Sequence, residues 1–159
     1  MPKPLVAALK GHVIGGGAEM ALAADMRIAA DDLCFGLPEV KYGLALDTGG
    51  SAFLTQLAGP ARAKWLMMAG EPISARTALD WRIVDWTCAP DDLDAQAMDL
   101  CRKLAGVPPQ AAAAQKALVN ALTDPDLHAA MTRENDMQSR LFDGPEYQAI
   151  SAALRVARG

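Results

Sequence analysis

Three carboxylates stand where the surrounding sequence makes a carboxylate conspicuous. Glu19 is the one acid in the run 11–24, Glu39 follows Pro38 between Phe35-Gly36-Leu37 and Val40, and Asp47 sits between Leu46 and Thr48-Gly49-Gly50. An acid on an apolar segment is partly desolvated, which raises its pKa and makes it usable as a general acid or base near neutrality. Two such acids facing one pocket divide the labour, one accepting a proton while the other donates. Just ahead of Glu19 lie Gly15, Gly16 and Gly17, between an apolar run and what reads as a helix start. Glycines at a strand-to-helix junction let the backbone approach a ligand and aim N–H groups at it. The combination suggests an oxyanion site with an adjacent acid–base group. Each feature alone has a plainer reading. A single Glu on a helix is usually solvated, Pro-Glu is usually a turn, three glycines can be a packing turn, and Asp47 can cap the next helix.

The elements that must position these residues can be read from pattern. Residues 4–9 predict a buried strand, 17–24 an apolar helix buried all round, and 26–30 a second strand. Asp31-Asp32 marks a turn, 33–36 a short extended piece and 38–48 a shaped loop. Helices are expected at 51–57, with Ser51 near the cap, and at 61–68 after Gly59-Pro60. Ser74 is an N-cap for a helix running to Asp80. Residues 83–87 read as a strand and 91–104 as an amphipathic helix. From Pro108 onward only helices are expected, at 109–122, 126–142 and 146–157, separated by Pro108-Pro109, Asp124-Pro125 and Gly144-Pro145. Strands alternating with helices, then helices alone, give an α/β core at 1–106 and a helical C-terminal region at 107–159. There is no internal repeat, and the alanine run 111–114 favours helix.

Composition bounds the function. The chain has 159 residues, 52% hydrophobic and 21% charged, with a formal net charge of −4. That describes a globular protein and argues against nucleic-acid or anionic-membrane binding. Cys34, Cys88 and Cys101 fit neither a zinc spacing nor a CxxC motif and read as reduced core thiols. His12 and His128 are isolated, so no metal site is expected. The glycines lack the Lys-Ser/Thr of a phosphate loop and the spaced G-x-G-x-x-G of a dinucleotide site. Without a signal-peptide pattern or an apolar run of membrane-spanning length, a cytoplasmic protein is the expectation.

Read together, G-H-V-I-G-G-G-A-E-M-A-L-A-A-D, then F-G-L-P-E-V, then G-L-A-L-D-T-G-G-S resembles the enoyl-CoA hydratase/isomerase (crotonase) family. Glu19 and Glu39 are 20 positions apart, as in the family's catalytic pair. G-E-P-I-S-A-R-T-A-L followed by I-V-D is similar to the family's segment after the active site, and the resemblance covers residues 3–116 with few gaps. It implies a partial crotonase-like spiral of strand-strand-helix turns with a C-terminal α-helical extension. It further implies that Gly16, flanked by Gly15 and Gly17, donates its amide to the thioester oxygen of an acyl-CoA. Glu19 and Glu39 would handle the water and the α-proton of a 2-enoyl-CoA. No separate cofactor is implied, because coenzyme A is part of the substrate. The helices after Pro108 resemble the family's self-association region, so a homotrimer or dimer of trimers is expected.

Three departures qualify the resemblance. Asp47, with the string E-V-x-x-G-L-A-x-D, is similar to dienoyl-CoA isomerases, which makes enoyl- or dienoyl-CoA double-bond isomerisation the alternative to hydration. Arg82 stands where the family has a helix-ending glycine, which questions the left-handed cap expected there. The resemblance also begins part-way into the family's fold. The chain is therefore expected to be truncated, without the second oxyanion amide and much of the CoA surface, and poorly active or inactive alone. A catalytically impaired fragment serving only as a self-associating subunit is the alternative of another class.

Overall fold

The computed structural model describes residues 1–123 and 126–156. Two small sheets are built in alternation along the chain. Strand β1 (Val6–Leu9) lies in the first sheet, and β2 (His12–Ile14) lies in the second. Helix α1 (Gly16–Leu22) then returns the chain to β3 (Met26–Ala30), parallel to β1 with Val6 opposite Met26. Strand β4 (Cys34–Gly36) pairs in parallel with β2, His12 opposite Cys34. Parallel neighbours need a crossover, and one strand-strand-helix turn supplies it for both sheets.

A 3₁₀ turn (Glu39–Tyr42) and helices α2 (Gly50–Ala58) and α3 (Pro60–Ala69) follow. Strand β5 (Ile73–Ser74) is antiparallel to β4, α4 (Ala75–Asp80) starts on the Ser74 cap, and β6 (Trp86–Cys88) closes the first sheet beside β3. The Ser74 hydroxyl accepts from the Thr77 amide at 3.3 Å, as expected of that cap. After a 3₁₀ turn at Pro90–Asp92 the described residues form helices α5 (Leu93–Ala105), α6 (Pro109–Thr123), α7 (Leu127–Phe142) and α8 (Pro145–Val156).

The main core joins Leu9, Ala18, Leu22, Phe35, Leu37, Leu54, Leu66 and Ile83 between the sheets and helices α1 to α4. Buried within this packing is Arg27 on the central strand β3. Its Nε donates to the Ile83 carbonyl at 2.7 Å, and Nη1 donates to the carbonyls of Ala24 and Leu22 at 2.6 and 3.3 Å. A guanidinium on the last carbonyl of α1 and on the Ala24 carbonyl just beyond it satisfies groups the helix end leaves open and complements its dipole. This fastens α1 to β3 and to the turn before β6.

The structure corrects several expectations. Helix α1 is amphipathic: Ala18, Glu19, Ala21 and Leu22 are buried, while Met20 is 76% exposed. Strands β2 and β5 carry three and two residues, too few for an alternating pattern to show. Ile83 and Val84 are buried in a turn, and the strand starts only at Trp86. Ser51 lies inside the first turn of α2, whose N-cap is Gly49. Cys101 is exposed and Cys34 half-buried, so Cys88 is the one buried thiol. Arg82 does take the left-handed conformation, at φ 63°. The expected break at Asp124-Pro125 and the helix end at Ala157 lie outside the described residues.

Candidate acid–base site

The site forms where the N-terminus of α1, the Glu39–Tyr42 turn and the loop entering α2 meet. Gly15 is the N-cap of α1 at φ 62°, a conformation that favours glycine. Its amide donates to the Gly36 carbonyl at 3.0 Å, and a Cβ at this position would lie 3.1 Å from Glu39 Oε1. Gly15 is therefore a close-approach residue whose amide is already engaged. Gly16 and Gly17, exposed at the start of α1, are different. Their N–H groups have no intrahelical acceptor by geometry, and none from other backbone among the described residues. A Cβ on either meets nothing within 4 Å, so the space beside them is open.

Glu19 is 2% exposed. It lies on the inward face of α1, one turn beyond the glycines. Its Oε2 accepts from the amides of Thr48 at 3.2 Å and Gly50 at 3.1 Å. Burial raises its pKa above the ordinary carboxylate range; the Thr48 and Gly50 hydrogen bonds oppose that rise, and the Glu134 charge adds to it. Gly50 is glycine for a steric reason, since a Cβ there would fall 2.6 Å from Glu19 Oε2.

Glu39 opens the 3₁₀ turn and is half-buried. Its Oε2 is fully buried and has no hydrogen-bond partner among the described residues. A buried polar atom left unpaired calls for an explanation, and a place for substrate or water supplies one. Burial also raises the Glu39 pKa, and although its own backbone amide works against this, the charges of Glu19 and Asp47 push it further up. The fold thus brings Glu19, Glu39 and Asp47 into one electrostatic neighbourhood. Asp47 is half-buried and does not cap α2, whose N-cap makes no side-chain hydrogen bond. Its effect in the structure is its charge on Glu39.

One participant has no signal in the sequence. Glu134 of α7 is buried, and its carboxylate accepts from the amides of Gly49 and Ser51 and from the Ser51 hydroxyl. It lies in the polar run Thr-Arg-Glu-Asn-Asp, more than 80 positions from its partners, and nothing local sets it apart from a solvated helix face.

Like charges in a shared, desolvated site separate the affinities of two carboxyls for a proton. Free amides at a helix start, one carboxyl held by two amides and one with an unspent oxygen make an arrangement for proton transfer beside a developing oxyanion. The family model of enoyl-CoA hydratase/isomerase matches residues 1–153. The chain belongs to that family. It is 43% identical over 117 residues to the protein named probable enoyl-CoA hydratase EchA17 of Mycobacterium tuberculosis, covering 74% of this chain and 45% of the relative. It is 39% identical over 122 residues to the carnitinyl-CoA dehydratase of Salmonella arizonae, covering 77% of this chain and 47% of the relative. Among solved structures, an enoyl-CoA hydratase from Mycobacterium avium subsp. paratuberculosis superposes with a TM-score of 0.92 at 32% identity, over 98% of this chain and 63% of that one. The fold is thus the crotonase fold, and the chain spans about half the length of the curated relatives it matches.

Proposed function

We propose that this enoyl-CoA hydratase/isomerase family member serves hydration of a 2-enoyl-CoA, and by reversal dehydration of the 3-hydroxyacyl-CoA. The observation that carries the reading is the unpartnered buried Oε2 of Glu39. It sits on a carboxyl whose proton affinity is raised by burial and by the charges of Glu19 and Asp47. The Gly16 amide donates to the thioester oxygen as enolate charge develops there. One such donor is worth about 3–4 kcal/mol of barrier. Glu19, whose ionised form the Thr48 and Gly50 amides support, takes a proton from water as the water oxygen bonds to the β-carbon. Glu39, whose hold on a proton is strengthened by burial and whose Oε2 is unpartnered, delivers a proton to the α-carbon. The proton left on Glu19 then returns to Glu39 through solvent. The names of the relatives, a hydratase and a dehydratase, favour this pair of directions.

The charge of Asp47 on Glu39 favours a second reading, a double-bond isomerase that starts from the same thioester enolate. For assembly the reading carries the homotrimer or dimer of trimers that the resemblance implies.

The test uses the 159-residue chain with crotonyl-CoA, and with acetoacetyl-CoA as a probe of enolate stabilisation that needs no turnover. With one oxyanion amide in the chain, only slow loss of the enoyl absorbance is expected from the wild type, together with an enolate band from bound acetoacetyl-CoA. E19Q and E39Q are each expected to lose about 10²–10⁴-fold in hydration rate. Absence of both wild-type signals at saturating thioester, or full activity in both glutamine variants, would overturn the reading. Conversion of a 3-enoyl-CoA without hydration of crotonyl-CoA would select the isomerase.

A further inference from the structure

Residues 48–51 present four successive backbone amides, and two carboxylates share them alternately. Glu19 takes Thr48 and Gly50, while Glu134 takes Gly49 and Ser51. Glu19 comes from α1 at the centre of the fold and Glu134 from α7 in the C-terminal helices. The loop between them is confined on the α7 side. Gly49 stands at φ 92°, and a Cβ on it would lie 3.4 Å from Met131 and 3.5 Å from Leu127, both on α7. The Ser51 hydroxyl gives Glu134 a third donor. Alternate amides of one short segment cannot be re-aimed separately, so what fixes one pair fixes the other.

We infer that Glu134 is a positioning residue for Glu19: by gripping the amides of Gly49 and Ser51 it holds the intervening amides of Thr48 and Gly50 on the Glu19 carboxylate. The role rests on the acid–base reading of Glu19 proposed above. It makes α7 part of the site although Glu134 touches no reacting atom.

Two effects of Glu134 on Glu19 have opposite signs, and this makes the role testable. As a charge, Glu134 raises the Glu19 pKa; as a clamp, it maintains hydrogen bonds that lower it, and those bonds outweigh the charge. The other charged groups bearing on this site are Glu39 of the 3₁₀ turn and Asp47 of the loop, through their mutual repulsion. Among the described residues no ion pair joins a cation to any of these four acids. In E134Q the side-chain NH₂ faces backbone donors, so the grip loosens as the charge disappears.

The experiment follows the Glu19 side-chain carboxyl by ¹³C NMR across a pH titration of the 159-residue chain, with an amide spectrum to report folding. The Glu19 midpoint is expected to move up in E134Q. A midpoint that moves down, as a bare charge effect requires, or does not move, overturns the role. If E134Q does not fold, S51A decides with the same signs, because it deletes one donor to Glu134, leaves every charge in place and puts a good helix former in α2. The titration needs no turnover. An E19Q variant that retained full hydration activity would sink the acid–base reading without altering the titration result, so the two failures are distinguishable.

Discussion

Gly16 and Gly50 are each the first residue of a helix, α1 and α2. Replacing either by alanine is the same chemical change at the same helical position, so propensity cancels between the two variants. Surroundings do not cancel. A Cβ at Gly16 meets nothing within 4 Å. A Cβ at Gly50 would fall 2.6 Å from Glu19 Oε2, 2.6 Å from Leu46 Cδ2 and 2.7 Å from Glu19 Cγ. Real carbon contacts do not come so close, and both Leu46 and Glu19 are buried. Overpacking of this kind costs about 1–3 kcal/mol. Moving the Glu19 carboxylate away also strains its bonds to the Thr48 and Gly50 amides. Hydrogen bonds to charged groups are worth about 1.5–3 kcal/mol each. Helix propensity returns at most about 1 kcal/mol in either variant. G50A should therefore be destabilised by about 2–3 kcal/mol relative to G16A. At about 2–4 °C per kcal/mol for a chain of this size, that is a Tm difference of roughly 4–12 °C. Calorimetry or urea unfolding of the two variants and the wild type measures it. If G50A matches G16A in Tm, Glu19 is not held against Gly50, and the account of its anchoring fails.

Two more outcomes follow from backbone and charge. Glu39 holds its proton more tightly in the folded chain than unfolded, by burial first and then by the Glu19 and Asp47 charges. Above about pH 4.3, the ordinary glutamate value, the unfolded chain releases that proton while the folded chain keeps it. The folded state binds more protons across that window, so this residue's contribution to stability falls as pH rises through it. E39Q should be more stable than wild type near pH 7, with the gain fading below the ordinary glutamate range. Urea unfolding over a pH series checks this, and a difference independent of pH would refute it. Arg82 is exposed at φ 63°. Left-handed backbone costs a non-glycine residue about 1–2 kcal/mol, and glycine gives back roughly 0.5–1 kcal/mol through unfolded-state entropy. R82G should raise Tm by a few degrees; a lowered Tm would mean that the arginine side chain contributes more than the strain it bears.

Much of the site was legible in the chain because its signals are local. Gly15 to Gly17 before a helix and a lone acid on that helix's apolar side specify a backbone shape and a desolvated carboxyl without reference to distant residues. Pro38-Glu39 and Leu46-Asp47 add acids at separations that match a known pattern. The left-handed cap at position 82 was put in doubt by its arginine, yet the geometry belongs to the turn and persists with arginine in it. The same local signals did not rank the glycines. Only the tertiary contacts show that Gly15 spends its amide on Gly36 and leaves Gly16 and Gly17 free.

Where the partner lies far along the chain, sequence pattern is silent. Strands β2 and β5 exist because β4 lies between them in the second sheet, and their few residues carry no period of their own. Arg27 is a cation in an otherwise apolar strand segment, and carbonyls at and just past the end of α1 converge with the Ile83 turn to bury it. Asp47 was divided between capping α2 and acting as an acid; packing made Gly49 the cap and turned Asp47 into a charge on Glu39. Glu134 is the clearest case. The sequence by itself pointed to Glu19 as a desolvated acid beside a glycine-rich helix start, because an apolar face and a helix start are encoded within one turn of chain. Only the tertiary structure decided what holds that acid in aim, because the second carboxylate gripping the same loop arrives on α7, and only the packing of α7 against α2 brings it there.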